Sequence, residues 1–204
     1  MKCALVIGCS ENVWAEVDEA IRLVSTIRYG EASNESEQRY RCFDAFYCVK
    51  LAGVHWTGGK FVWPTLHPEF MDDYEIQRAR LGFHSDYEIV APLTTEVGRH
   101  GKAGKNIARR VTYRYPGMDS SASSGGYAAK IALDDGFDRV VLAGVPMTND
   151  NHFTRGKPWQ AKDSFVKGFK LSMPYWNGRV RSMSGWSQEM LGAPDPAWLD
   201  RGTR

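Results

Sequence analysis

Two uninterrupted apolar runs, each closed by a glycine, constrain this chain more than anything else in it. Cys3-Ala4-Leu5-Val6-Ile7 stops at Gly8, and Val140-Val141-Leu142-Ala143 stops at Gly144. A run of four or five apolar residues with no polar alternation is what a strand covered on both faces requires, and such strands belong to parallel sheets. Each run also has a helical pattern beside it. After the first, Gly8-Cys9-Ser10 reads as a turn, and Ser10, Glu11 and Asn12 offer capping chemistry. Val13, Val17, Ile21 and Val24 then recur at helical spacing. Before the second run, the loop Ser120-Ser121-Ala122-Ser123-Ser124-Gly125-Gly126 enters a helix from Tyr127 to about Asp134, with a turn at Gly136. Strands alternating with helices predict an α/β fold, a Rossmann-like three-layer sandwich with a mostly parallel sheet.

The rest of the chain fills in that frame. Residues 45–49, Phe61-Val62-Trp63 and residues 87–90 read as further buried strands, and a helix is predicted over 68–81. Residues 30–41 are polar and read as a loop. Residues 94–119 carry no periodic pattern, but six Lys and Arg and no acid fall between Arg99 and Arg114. That run reads either as a solvated loop or as a phosphate-binding segment. After Gly144 come an aromatic and basic stretch to Arg181, a short segment at 182–186, a brief helix near Leu191 and a proline-rich tail.

Bulk properties exclude several classes. Hydrophobic residues are 43% and charged residues 25% of 204, a balance that builds a core and argues against a disordered chain. Lys and Arg number 26 against 24 Asp and Glu, so no global field calls for nucleic acid or a membrane surface. No apolar run reaches the length of a membrane span, and the opening run is too short for a signal peptide. The four cysteines (Cys3, Cys9, Cys42 and Cys48) form no Cys-x-x-Cys pair, which fits a reduced, cytoplasmic protein without a structural metal.

Ligands of parallel sheets sit at the carboxyl ends of the strands. The residues expected there are Gly8, Cys9 and Ser10, then Lys50 after the second strand, then His67. The helix entry adds Ser123, Ser124, Gly125 and Gly126, whose amides and hydroxyls suit a phosphate or a ribose. The alternative for that loop is a serine-rich helix start in which Ser124 merely caps. Gly8-Cys9-Ser10 lacks the Gly-x-Gly-x-x-Gly fingerprint, and Gly98 to Asn106 fails as a P-loop because its spacing is one residue too long and Asn106 replaces the Ser/Thr. Asp72, Asp73 and Glu75 read as a charged helix start rather than a metal site. His152, just past the second run, and His67 are the candidate general bases, each weighed against a structural histidine.

The order of these pieces resembles a known group. Residues 3–10, Val13-Trp14, residues 43–53 and 63–68 resemble the opening of phage and bacterial proteins with a Rossmann-like core. Ser123-Ser124-Gly125-Gly126-Tyr127 through Leu133, followed by Gly136 to Met147, resembles a signature of Asn-Ser-Gly, a small helix, a strand and Gly-x-Asp-Met. That signature is shared by phage proteins of morphogenetic type, hydroxymethyldihydropterin pyrophosphokinase-like proteins and the bacterial sialyltransferases that use a CMP-sugar. The resemblance implies a nucleotide held by Gly8, Cys9, Ser10, Ser124, Gly125 and Gly126, with base or ribose near Lys50 and a base in the region of His152. Three positions depart from it: Lys50 for Asn, Gly125 for Ser, and Pro146 for Asp. The loss of that Asp weakens a metal-dependent pyrophosphokinase most.

These readings together imply a nucleotide-dependent transferase, a glycosyltransferase-like enzyme with a CMP- or UDP-type sugar donor. Arg155 or Lys157 would neutralise the leaving group. The metal requirement is left open, and the acceptor is a glycan or a DNA base. Residues 1–150 would form a nucleotide-binding core, and 151–204 a lid or small subdomain completing the same domain. Trp159, Trp176 and Trp186 are expected at a lid or an interface. The other reading is a non-catalytic nucleotide-binding or assembly protein, with a homo-oligomer in view.

Overall fold

Seven short strands, all parallel, run side by side through the protein in a computed structural model that describes residues 1–29, 39–94, 104–118, 123–154, 156, 158 and 162–200. They are β1 (Cys3–Ile7), β2 (Ala45–Cys48), β3 (Phe61–Pro64), β4 (Tyr87–Pro92), β5 (Ile107–Val111), β6 (Arg139–Ala143) and β7 (Val180–Ser182). Their order in the sheet is β5-β4-β3-β2-β1-β6-β7. Val6 at the centre is flanked by Tyr47 of β2 and Leu142 of β6. The helices are α1 (Val13–Tyr29), α2 (Leu51–His55), α3 (Met71–Arg80), α4 (Ser124–Asp134), α5 (Lys162–Trp176), α6 (Gly185–Leu191) and α7 (Pro196–Asp200).

Strand side chains alternate between faces, so the two apolar runs feed two cores at once. Cys3, Leu5 and Ile7 join Val13, Val17, Ala20, Ile21 and Val24 of α1 on one face, with Trp63 and Trp198. Ala4, Val6, Val140 and Leu142 join Tyr127, Ala128, Ile131 and Ala132 of α4 on the other, with Phe169 and Trp176 of α5. Helices therefore cover both faces, which is why the central strands carry no polar alternation.

Several expectations change in detail. The helix read over 68–81 is a 3-10 turn at Pro68–Phe70 followed by α3. The basic segment contains β5, where Arg109 fastens elements together. Its Nη1 and Nη2 meet Asp135 at 2.6 and 2.7 Å, and its Nε meets Glu88 at 2.5 Å. Asp135 also accepts from the Tyr47 hydroxyl at 2.7 Å. Burial and that carboxylate push the Tyr47 phenol up. Arg110 donates to the Pro92 carbonyl. Arg99 and Lys102 lie outside the described residues.

From residue 162 onward the chain supplies α5 to one face and β7 to the sheet. Trp176, expected at a lid or interface, is fully buried, and Trp186 packs against Phe169. Trp159 lies outside the described residues. Among the described residues no helix is long and apolar enough to cross a membrane.

Candidate functional site

The strand order reverses at β1. From there, β2 to β5 extend one way and β6 and β7 the other. At such a switch point the connections leave the two central strands in opposite directions and open a crevice at their carboxyl ends. A cleft of about 750 Å3, including open solvent at its mouth, lies there. Its floor is Gly8, Cys9 and Ser10 after β1 and Gly144 to Met147 after β6. Val49 and Lys50 after β2, and Leu66 and His67 after β3, form one wall. Ser123, Ser124 and Gly125 enter it at the start of α4, and Thr148, Asp150, Asn151, His152 and Phe165 complete the rim.

The structure thus brings together Gly8, Cys9, Ser10, Lys50, His67, Ser123, Ser124, Gly125 and His152. Gly126 is one residue deeper in α4 and is not part of the lining. Arg155 and Lys157 lie outside the described residues.

The glycines have packing reasons. A Cβ on Gly8 would stand 2.1 Å from the Gly144 carbonyl oxygen, and one on Gly125 would stand 2.6 Å from Cγ1 of Val145. Both are glycine because β1, β6 and α4 converge more closely than a methyl group allows.

The backbone amides at Gly8 and Gly126 do not form the expected anion-accepting crevice. Gly8 N–H donates to Ala143 O at 2.7 Å, and the Cys9 and Ser10 amides both donate to Gly144 O. Gly126 N–H donates to Ser123 Oγ at 3.3 Å, so Ser123, not Ser124, is the cap of α4. The first internal bond of the helix runs from Tyr127 N–H to Ser123 O. Ser124 and Gly125 precede it, so their amides have no intrahelical acceptor and lie in the first turn, where a helix favours an anion. The β1 turn lies so close to β6 that its amides are taken up by the Ala143 and Gly144 carbonyls.

Ser10 does not cap α1 either. Its Oγ is buried and has no hydrogen-bond partner among the described residues. A buried hydroxyl without a partner is uncommon and calls for an explanation, and Ser10 belongs to the cleft lining. Two non-glycine residues of the lining, Lys50 (φ 49) and Met147 (φ 54), hold positive φ. Such backbone costs roughly 1–3 kcal/mol and concentrates at functional sites.

The two histidines differ in what their Nδ1 atoms meet. Residues 151–153 lie antiparallel beside 9–11, through Glu11 N–H to Asn151 O and Phe153 N–H to Cys9 O. The His152 ring stacks on Phe153 with centroids 5.2 Å apart, and its Nδ1 accepts from the Thr154 N–H at 3.2 Å. An accepting Nδ1 puts the proton of the neutral ring on Nε2, which is then a donor. His67 has the reverse arrangement: its Nδ1 faces Glu69 Oε1 at 3.0 Å, so the neutral ring donates to the carboxylate and keeps the Nε2 lone pair. The His67 side chain is 50% exposed.

Glu16 was not foreseen. From α1 it accepts Gly144 N–H at 2.7 Å and the Ser184 hydroxyl at 2.7 Å, beneath the cleft floor. Burial raises its carboxyl above the ordinary value despite those two bonds. The available signal was a charged residue three positions after Val13, on the apolar stripe of α1. Among the described residues no group of three or more His, Cys, Asp or Glu is placed to hold a metal ion.

No family model matches this sequence, and no curated protein matches it. Two solved structures share its architecture. The sialyltransferase CST-II in complex with a trisaccharide acceptor and CMP superposes with a TM-score of 0.52 at 9% identity, over 96% of this chain and 87% of that one. Sialyltransferase CstII from Campylobacter jejuni, in complex with the substrate analogue CMP-3FNeuAc, gives 0.50 at 9% identity, over 96% and 86%. The fold is sialyltransferase-like. At this identity the likeness is one of fold, and it reaches the sialyltransferase part of the expected resemblance, not the pterin pyrophosphokinases or the phage proteins.

Proposed function

We propose that the strand-end cleft binds the nucleotide of a nucleotide-sugar donor, of CMP or UDP type, and that the protein is a glycosyltransferase-like transferase. The observation that carries this reading is the partnerless Ser10 hydroxyl in a cleft at the switch point of the sheet. The fold likeness to two sialyltransferases supports it.

The chemistry is a direct displacement. An acceptor hydroxyl, from a glycan or a modified DNA base, attacks the anomeric carbon. The bond from that carbon to the phosphate oxygen breaks, and the nucleotide leaves with the electron pair. The Ser124 and Gly125 amides donate to the phosphate oxygens at the start of α4, where the helix dipole adds to them. Ser10 Oγ bonds the ribose or the phosphate. His67 takes the acceptor proton on Nε2, oriented by Glu69, in place of the His152 role expected from sequence. His152 instead donates from Nε2. Arg155 or Lys157, outside the described residues, neutralises the leaving group in this proposal.

The test is a thermal shift against CMP, UDP, GDP and their sugars. A ligand at a hundred times its Kd adds about 2.7 kcal/mol, which for a chain of this size moves Tm by about 5–10 °C. One nucleotide series should do so. Silence across all of them would end the proposal. A nucleotide-binding protein without transfer is the second reading, favoured by the Nδ1 of His152 being committed to its own loop. Binding without donor turnover would select it.

A further inference from the structure

We infer that Lys50 is the cationic anchor for the phosphate in this cleft, and that Trp63 is the positioning residue that holds it there. This deepens the nucleotide reading and rests on it for the identity of the ligand. It also departs from the base or ribose contact expected at this position.

Lys50 has φ 49 and ψ −127, the conformation of the first central residue of a type II′ turn, where glycine is the favoured residue. A lysine in that conformation is strained. Among the described residues it makes no ion pair and no side-chain hydrogen bond, although it lines the cleft. The other charged or titratable groups of the lining are engaged: Cys9 with the Val49 carbonyl, Asp150 with the Thr148 hydroxyl, His67 with Glu69, and His152 with Thr154. Lys50 is therefore a cation of the cleft with no ion-pair partner among the described residues. It shares that cleft with the unpartnered Ser10 hydroxyl and the open end of α4.

Its strained turn is also held from behind. The Trp63 indole N–H donates to Lys50 O at 2.9 Å, and Gly53 N–H donates to the same oxygen at 3.2 Å. Trp63 is fully buried. A Cβ on Gly53 would stand 2.2 Å from the Trp63 ring, so the indole and the first turn of α2 are fitted against each other. The indole N–H, not merely the ring, fixes the peptide that presents the ammonium.

The experiment measures CMP, cytidine and inorganic phosphate affinity by calorimetry, with Tm for each variant. Lys50→Met should lose about tenfold to a hundredfold in CMP affinity, as expected for a charge-assisted bond. It should bind cytidine like the wild type, and Lys50→Arg should retain CMP affinity. Lys50→Gly should lose the same CMP affinity while raising Tm by about 2–4 °C, because glycine accepts the turn. Trp63→Phe keeps the ring and removes the N–H. It should weaken CMP severalfold in the wild-type background and not at all in the Lys50→Met background. A purely structural role would subtract equally from both.

CMP binding to Lys50→Met at wild-type strength would overturn the inference, as would an equal loss for cytidine. The phosphate arm separates this claim from the nucleotide reading. If the wild type holds phosphate, Lys50→Met does not, and CMP adds nothing, the anchor stands and the nucleotide reading falls. If the wild type binds none of the three, both fall.

Discussion

A single oxygen, Ser10 Oγ, separates a packing role from a binding role more sharply than any other atom of the cleft. A buried hydroxyl without a partner costs the fold about 1–3 kcal/mol. Ser10→Ala should therefore leave the ligand-free protein as stable as before, or more stable, while CMP affinity drops about fivefold to tenfold. Paired melting curves and calorimetry check this, and a loss of stability with unchanged affinity would count against a contact. Gly8 should behave in the opposite way. A methyl group 2.1 Å from the Gly144 carbonyl oxygen has nowhere to go, so Gly8→Ala should cost about 3 kcal/mol or more in urea unfolding whether or not nucleotide is present. Glu16 makes a prediction in pH. Burial raises its carboxyl above 4.5, so the folded protein keeps that proton where the unfolded chain has released it. The contribution is fully present below pH 4.5 and is lost as pH rises through the raised value. Denaturation of Glu16→Gln should show a flatter fall in stability over that interval than the wild type. An identical slope would mean that the carboxyl is not perturbed.

The elements that were legible in the sequence are the ones at the centre of the sheet. β1, β2, β3, β4 and β6 announce themselves because both faces are covered along their buried stretch, which is apolar, while Glu88 of β4 and Arg139 of β6 fall near the less buried strand starts. β5 and β7 lie at the two edges. There one side of the strand is open, and polar residues such as Arg109, Arg110 and Arg181 fit without cost, so the apolar signature disappears. α5 was hidden for a different reason. Phe165, Phe169 and Trp176 follow a helical spacing, but Gly168 and Pro174 interrupt it; Pro174 is tolerated inside the last turn. At the site, the residues that converge could be read from strand ends and from the start of α4. The hydrogen bonds that decide their roles could not, because Gly126 N–H turning to Ser123 Oγ and Glu69 turning to His67 depend on orientation rather than spacing. The cap gives one test: Ser123→Ala should lower stability by about 1 kcal/mol in urea unfolding. The histidine pair gives another. If transfer activity is found, His67→Ala and Glu69→Gln should lower kcat by about a hundredfold or more and more modestly, with KM for the donor little changed. A larger kcat loss from His152→Ala would restore the role first expected of it.

Across the whole molecule, the parallel order of the sheet puts every strand start at one end and every strand exit at the other. The cleft belongs to the exits. The flanks of the chain belong to the starts: Lys2 O receives the Asp138 and Arg139 amides, and the Trp198 indole donates to Gly178 O just ahead of β7. Trp198 lies between the guanidinium groups of Arg139 and Arg181, with centroid distances of 5.3 and 5.2 Å. A probe coupled at Lys2 or near Trp198 would thus sit at the back of the sheet and leave the crevice at the strand exits clear.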